Sequence, residues 1–158
     1  MTKIELWTRQ QRLDNLFEII RILEGDPELT SHWARYLCVQ VSGFLETSIQ
    51  TVLSDYARCQ SSKHVSRFVD AQVGRFQNLN MERILNLVGQ FDPDWEKELR
   101  IATEDEPKDA VDSVVANRNR IAHGEDVGIT FGRVSRYYDN AKLVVDLLQK
   151  KCNGSPAR

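Results

Sequence analysis

The chain has 158 residues, 41% of them hydrophobic and 28% charged, with a formal net charge of −2. That length suits one domain around one core, and that composition excludes a disordered chain. No apolar run is long enough to cross a bilayer, and the near-neutral charge excludes a protein that grips long nucleic acid by overall basicity.

The opening residues, Met1-Thr2-Lys3-Ile4-Glu5, lack the charged-then-apolar layout of a signal peptide, so a cytoplasmic protein is expected. Residues Ile4 to Leu23 read as a first helix, with Ile4, Leu13, Leu16, Phe17, Ile20 and Leu23 on its apolar stripe. Gly25-Asp26-Pro27 reads as its end. A long helix follows, capped by Thr30 or Ser31 and running to about Cys59. Its stripe of Trp33, Leu37, Val41, Phe44, Ser48, Val52 and Tyr56 is widened by Leu45, Ile49 and Leu53, which predicts burial on more than one side. Gly43 interrupts this helix, and close approach of a neighbouring helix is the expected reason. Glu46 lies one turn later beside the apolar face. The plainer reading turns it to solvent.

Ser61 and Ser62 mark a break before a short helix with Val65, Phe68, Val69, Val73 and Phe76 at helical spacing. Asn80 is a cap for another, Met81 to Val88, which Gly89 is expected to stop. Asp92-Pro93-Asp94 starts the next, with Trp95 and Leu99 inward. The acidic turn Thr103 to Pro107 reads as charge complementing a helix N-terminus; no His or Cys at ligand spacing joins it. A helix from Pro107 to about His123 carries Val111, Val114 and Val115, and Gly124 stops it. Thr130 caps the last helix, with Tyr137, Ala141, Val144, Val145 and Leu148 buried, to about Lys151. A single domain is thus expected over residues 1–152, with a flexible tail over residues 153–158. Cys38, Cys59 and Cys152 match no zinc spacing; Cys38 and Cys59, within one predicted helix, read as packed small hydrophobes or exposed reduced thiols.

One stretch does not fit a packing helix: Arg118-Asn119-Arg120-Ile121-Ala122-His123. The apolar stripe through Val111, Val114 and Val115 reaches Arg118 at its next turn, so a fixed cation stands where a core residue is expected. Asn119 and His123, four apart, share a face. Arg118 and His123 are about 140° apart around the axis and roughly 7 Å along it, within common reach of one ligand. Arginine offers a planar fork that matches phosphate, and histidine moves protons near neutrality. A structural reading stands beside this: a snorkelling arginine, and Asn and His satisfying a helix end.

Arg-Asn, three residues, then His, with Ala before the His and Gly after it, in an all-helical chain, resembles the signature of the HEPN superfamily, and most closely its RiboL-PSP-HEPN branch. The likeness spans roughly Trp33 to Leu148. It implies a compact all-α bundle of about five to seven helices. It also implies a metal-independent endoribonuclease, in which the RNA 2′-hydroxyl attacks the adjacent phosphate and no cofactor is needed. Arg118 would stabilise charge, His123 would transfer protons, and Asn119 would orient His123 or donate to a phosphate oxygen. Arg120 would hold a neighbouring phosphate, and Arg133 and Arg136 would add secondary RNA contacts. The likeness also makes Glu46 a candidate helper. It implies a homodimer with a shared cleft, and a toxin or defence effector with an antitoxin or defence-system partner. The alternative is a non-catalytic domain of the same kind that binds RNA or a partner protein.

Overall fold

The computed structural model describes residues 3–23 and 25–154. It is all-α, with no strand among the described residues. The helices are α1 (Lys3–Ile22), α2 (Pro27–Gln60), α3 (Lys63–Val73), α4 (Met81–Phe91), α5 (Pro93–Ala102), α6 (Glu106–Ala122) and α7 (Phe131–Gly154).

The 34 residues of α2 are the spine. At about 1.5 Å of rise per residue, such a helix spans roughly 50 Å. It packs against α1, α3, α6 and α7, which is why its apolar stripe is so wide. Leu37, Val41, Leu45, Ile49 and Leu53 are all inaccessible to solvent. The helix begins earlier than Thr30 or Ser31. Asp26 Oδ1 accepts from the Glu28 and Leu29 N–H groups, at 2.9 and 3.3 Å. Pro27, with no N–H to waste, occupies the first turn. Gly25-Asp26-Pro27 is therefore a start signal for α2, with Asp26 as its cap, rather than only a stop for α1. The caps at Asn80 and Asp92 form as expected, with Oδ1 of each accepting from Arg83 N–H at 2.9 Å and Asp94 N–H at 2.8 Å.

Several expected core positions move. In α1 the buried residues are Leu6, Leu13, Phe17 and Ile20. Ile4 lies about 200° around the helix from Leu6 and is exposed, and Leu23 sits half-exposed in the turn after the helix. In α7 the stripe is Phe131, Val134, Tyr138, Ala141, Val145 and Leu148, so Tyr138 is buried and Tyr137 stays at the edge. Tyr138 stacks on Phe17 at 4.7 Å between centroids and meets Phe44 edge-on at 5.5 Å. Its hydroxyl donates to Asp14 Oδ1 at 2.7 Å, which lets the buried ring keep a polar end. Burial, and then the hydrogen bond to Asp14, push its ionisation up, so it remains a donor.

α3 packs chiefly on α2, so only one of its faces is covered. Val73 is buried, while Val65 and Phe68 remain 52% and 65% exposed. Gly89 does not stop α4, which continues to Phe91. A Cβ there would lie 2.3 Å from Glu96 Oε2, so this glycine admits the Glu96 side chain. Gly43, by contrast, has nothing within 4 Å of where a Cβ would be, so no helix approaches closely there. At the far end α7 runs on through Gly154, past the expected start of a tail at 153; residues 155–158 of that tail lie outside the described residues. No helix is long and apolar enough to cross a membrane among the described residues.

Phe44 joins α1, α2 and α7 through Tyr138 and Phe17. Replacing it, Phe44→Ala, is expected to cost about 3–5 kcal/mol of unfolding free energy. Denaturant titration measures this, and a loss under about 1 kcal/mol would show that the ring cluster does not hold the three helices together.

Candidate active site at the end of α6

The inward face of α6 is made by Ala110, Val111, Val114 and Val115. Midway, the Val114 carbonyl accepts from the Cys38 thiol of α2 at 3.6 Å. Burial pushes that thiol up to about 12, so it is a packed, un-ionised group rather than a nucleophile. One turn further along, the same face presents Arg118, half-buried.

Arg118 is held. Its Nη1 donates to Asn78 Oδ1 and to Asn119 Oδ1, each at 3.1 Å. Asn78 belongs to the loop between α3 and α4, and its own N–H donates to Glu46 Oε2 at 2.6 Å. A continuous chain of hydrogen bonds therefore runs from Glu46 through Asn78 to Arg118 and Asn119. Glu46 is half-buried against that loop instead of facing solvent, and it reaches the arginine only through Asn78. Asn119 turns its carbonyl oxygen to Arg118; among the described residues it makes no side-chain bond to His123.

The helix ends in a Schellman turn. Gly124 N–H donates to the Ile121 carbonyl and Glu125 N–H to the Arg120 carbonyl, both at 3.0 Å. Gly124 takes φ +75°, the left-handed conformation this turn demands. His123 is the cap residue, its N–H bonded to the Asn119 carbonyl at 3.1 Å. Its ring is exposed and has no hydrogen-bond partner among the described residues. The turn is braced by Arg120 Nε on Glu125 Oε2 and by Arg35 Nη1 on Asp126 Oδ1, both at 2.8 Å. Arg35 Nη2 also meets His32 Nδ1 at 2.8 Å. Val127 and Ile129 are buried behind it.

Arg120 therefore stands at the motif with a carboxylate partner. Arg133 and Arg136 lie elsewhere, exposed in an open groove of about 620 Å³ with Glu106, Asp109, Ser113, Tyr137 and Asn140. Arg118 and His123 do not line that groove. Among the described residues no cluster of three or more His, Cys, Asp or Glu is placed to hold a metal ion. Asn78 is the participant that sequence reasoning missed. Its only signal is an asparagine just ahead of the Asn80 cap, a residue type that tolerates a left-handed backbone.

A Cβ at Gly124 would meet no atom within 4 Å, so Gly124→Ala isolates backbone strain. The variant is expected to lose about 1–2 kcal/mol, and Gly124→Asn less, because asparagine enters this region more easily. Equal stability of Gly124→Ala and the parent in denaturant would show that the turn relaxes to another form.

Neither a search of curated proteins nor one of solved structures finds a match to the chain. Residues 8–154 match the RiboL-PSP-HEPN family, nearly the whole chain, including α6, its end and the loop that holds Arg118. With the all-α fold and the Arg118-to-His123 segment in place, the protein belongs to the RiboL-PSP-HEPN family.

Proposed function

We propose that this protein is an endoribonuclease that uses the RNA's own 2′-hydroxyl as nucleophile. One observation carries the reading: a half-buried, anchored arginine and an exposed, uncommitted histidine stand about one turn apart at the end of one helix. Cleavage would proceed by attack of the 2′-oxygen on the adjacent phosphorus as the bond to the 5′-oxygen breaks. The products are a 2′,3′-cyclic phosphate and a free 5′-hydroxyl. The base takes the 2′-hydroxyl proton, and the acid returns a proton to the leaving 5′-oxygen. Arg118, always charged, faces the phosphate as negative charge gathers on its oxygens.

One chain brings one such histidine, so a second copy supplies the other, and the working unit is a two-fold homodimer with both motifs on one cleft. This chemistry needs no metal. A role as a toxin or defence effector, restrained by an antitoxin or defence-system partner, accords with the family likeness. Arg120 would hold a flanking phosphate by exchanging Glu125 for it. The separate groove with Arg133 and Arg136 would take more distant RNA. The rival reading, a non-catalytic domain that binds RNA or a protein, rests on one observation: Arg118 already has two partners within its own chain, as a structural arginine would.

Incubation of RNA with the protein in EDTA separates the two. Wild type is expected to cut, His123→Ala to lose about 100-fold or more, and Arg118→Ala a comparable amount. Equal cutting by wild type and His123→Ala would mean a contaminating nuclease, and binding without turnover would support the rival. A substrate carrying a single 2′-deoxy sugar at the cut position is expected to resist; cleavage of it at the full rate would rule out 2′-hydroxyl attack.

A further inference from the structure

We propose that Asn78 is the positioning residue of Arg118: with Asn119 it occupies both hydrogens of Nη1 and leaves the Nε–Nη2 edge as a fixed two-pronged site for the paired oxygens of a phosphodiester. The proposal rests on the endoribonuclease reading for its substrate and on geometry for the clamp.

Nη1 carries two N–H bonds, and two amide oxygens lie at 3.1 Å from it. Guanidinium has no acceptor, so both asparagines must present oxygen and not NH2 to it. Nε and Nη2 have no acceptor among the described residues. Their N–H bonds run parallel along one edge, the arrangement that meets two oxygens of a phosphate at once.

The loop that carries Asn78 is pinned at nearly every residue. Gln50 Nε2 donates to the Phe76 carbonyl and Arg83 Nη1 to the Gln77 carbonyl, each at 2.8 Å. Glu46 accepts from Asn78 N–H at 2.6 Å, and Asn80 N–H donates to the Asn78 carbonyl at 2.9 Å. Asp112 of α6 accepts from Met81 N–H at 2.8 Å, and Leu79 is 1% exposed. Three helices thus converge on a short loop. Asn78 sits there at φ 53°, a left-handed conformation that asparagine enters more easily than most non-glycine residues. What this bracing presents to the motif is a single carbonyl oxygen, aimed at Arg118. Glu46 acts through it, as the anchor of the anchor.

Asn78→Gly tests the idea cleanly. Glycine accepts the same backbone angle and keeps the N–H for Glu46, while the side-chain oxygen is gone. In proton–nitrogen NMR spectra, wild type is expected to show separate, slowly exchanging Nη1 proton signals for Arg118. In Asn78→Gly they should merge, and in Asn78→Asp, which retains an oxygen, they should stay resolved. With RNA, kcat of Asn78→Gly should fall about 10- to 100-fold while KM changes less than about threefold, the pattern of a misplaced group rather than a lost binding one. Glu46→Ala should behave likewise, and Glu46→Gln, which can still accept from Asn78 N–H, should restore most of the rate. Identical Arg118 signals in wild type and Asn78→Gly would overturn the clamp. Merged signals with undiminished kcat would overturn its positioning role, provided Arg118→Ala is inactive. If wild type cuts no RNA at all, the endoribonuclease reading fails, and the spectra alone decide the clamp.

Discussion

A guanidinium cannot lose its charge and cannot leave water without partners for its N–H groups. Arg118 stands where the apolar face of α6 meets the protein interior, so it must be supplied with side-chain acceptors. One comes from the next residue, Asn119, and one from Asn78, forty positions away in sequence. The second requires a loop held in one particular shape, and that loop is held by side chains of α2, α4 and α6. The long apolar α2 and the placement of α6 against it are therefore preconditions of the site. The core fixes where Glu46 and Val114 lie, and these fix where Arg118 can be met.

The end of α6 solves a different problem. Its last carbonyls need donors, and the Schellman turn through Gly124 supplies them from the backbone. This frees the His123 side chain from capping duty. A helix that ended without a glycine would draw nearby side chains into satisfying its carbonyls. The two halves of the motif are thus opposite in character, with one side chain fixed by neighbours and the other left exposed at a fixed backbone position.

The sequence makes the all-α class, the long α2 and the position of α6 legible, because wide stripes at helical spacing, Asn and Asp caps and a terminal glycine are local signals. It also shows Arg118 as an intruder in an apolar stripe, since that needs only periodicity. What it hides is set by neighbours. Tyr137 and Tyr138 are adjacent and chemically alike, and only Phe17 and Asp14 decide that Tyr138 is the buried one. Val65 and Phe68 fit a helical stripe, yet α3 offers them no covering element. Gly89 looks like a stop and is instead room for Glu96. Asp26 was masked by its place between two helices, ending one in appearance and capping the next in fact. Asn78 is hidden for the strongest reason: its role depends on a loop shape produced by residues from three other elements. Glu46 could be singled out, but its path to the motif could not be traced without that loop.

The chemistry of the clamp matters as much as its geometry. Around the motif Arg120 faces Glu125 and Arg35 faces Asp126, so each of those cations has a carboxylate against it. Arg118 is held by two amide oxygens, which orient a guanidinium without cancelling its charge. The nearby carboxylate, Glu46, bonds to the Asn78 backbone instead of to the arginine. A carboxylate in the place of Asn78 would grip as well, but it would set a negative charge where the proposed phosphodiester would come. In a chain of net charge −2, the proposed attraction for RNA would have to be local, and a positioned cation with neutral partners would supply it at one point. In the proposed reaction that is also where the transition state would gather charge. A group already oriented there would need no reorganisation when a phosphate arrives, and a half-buried site, where water screens less than at the open surface, would add to the benefit.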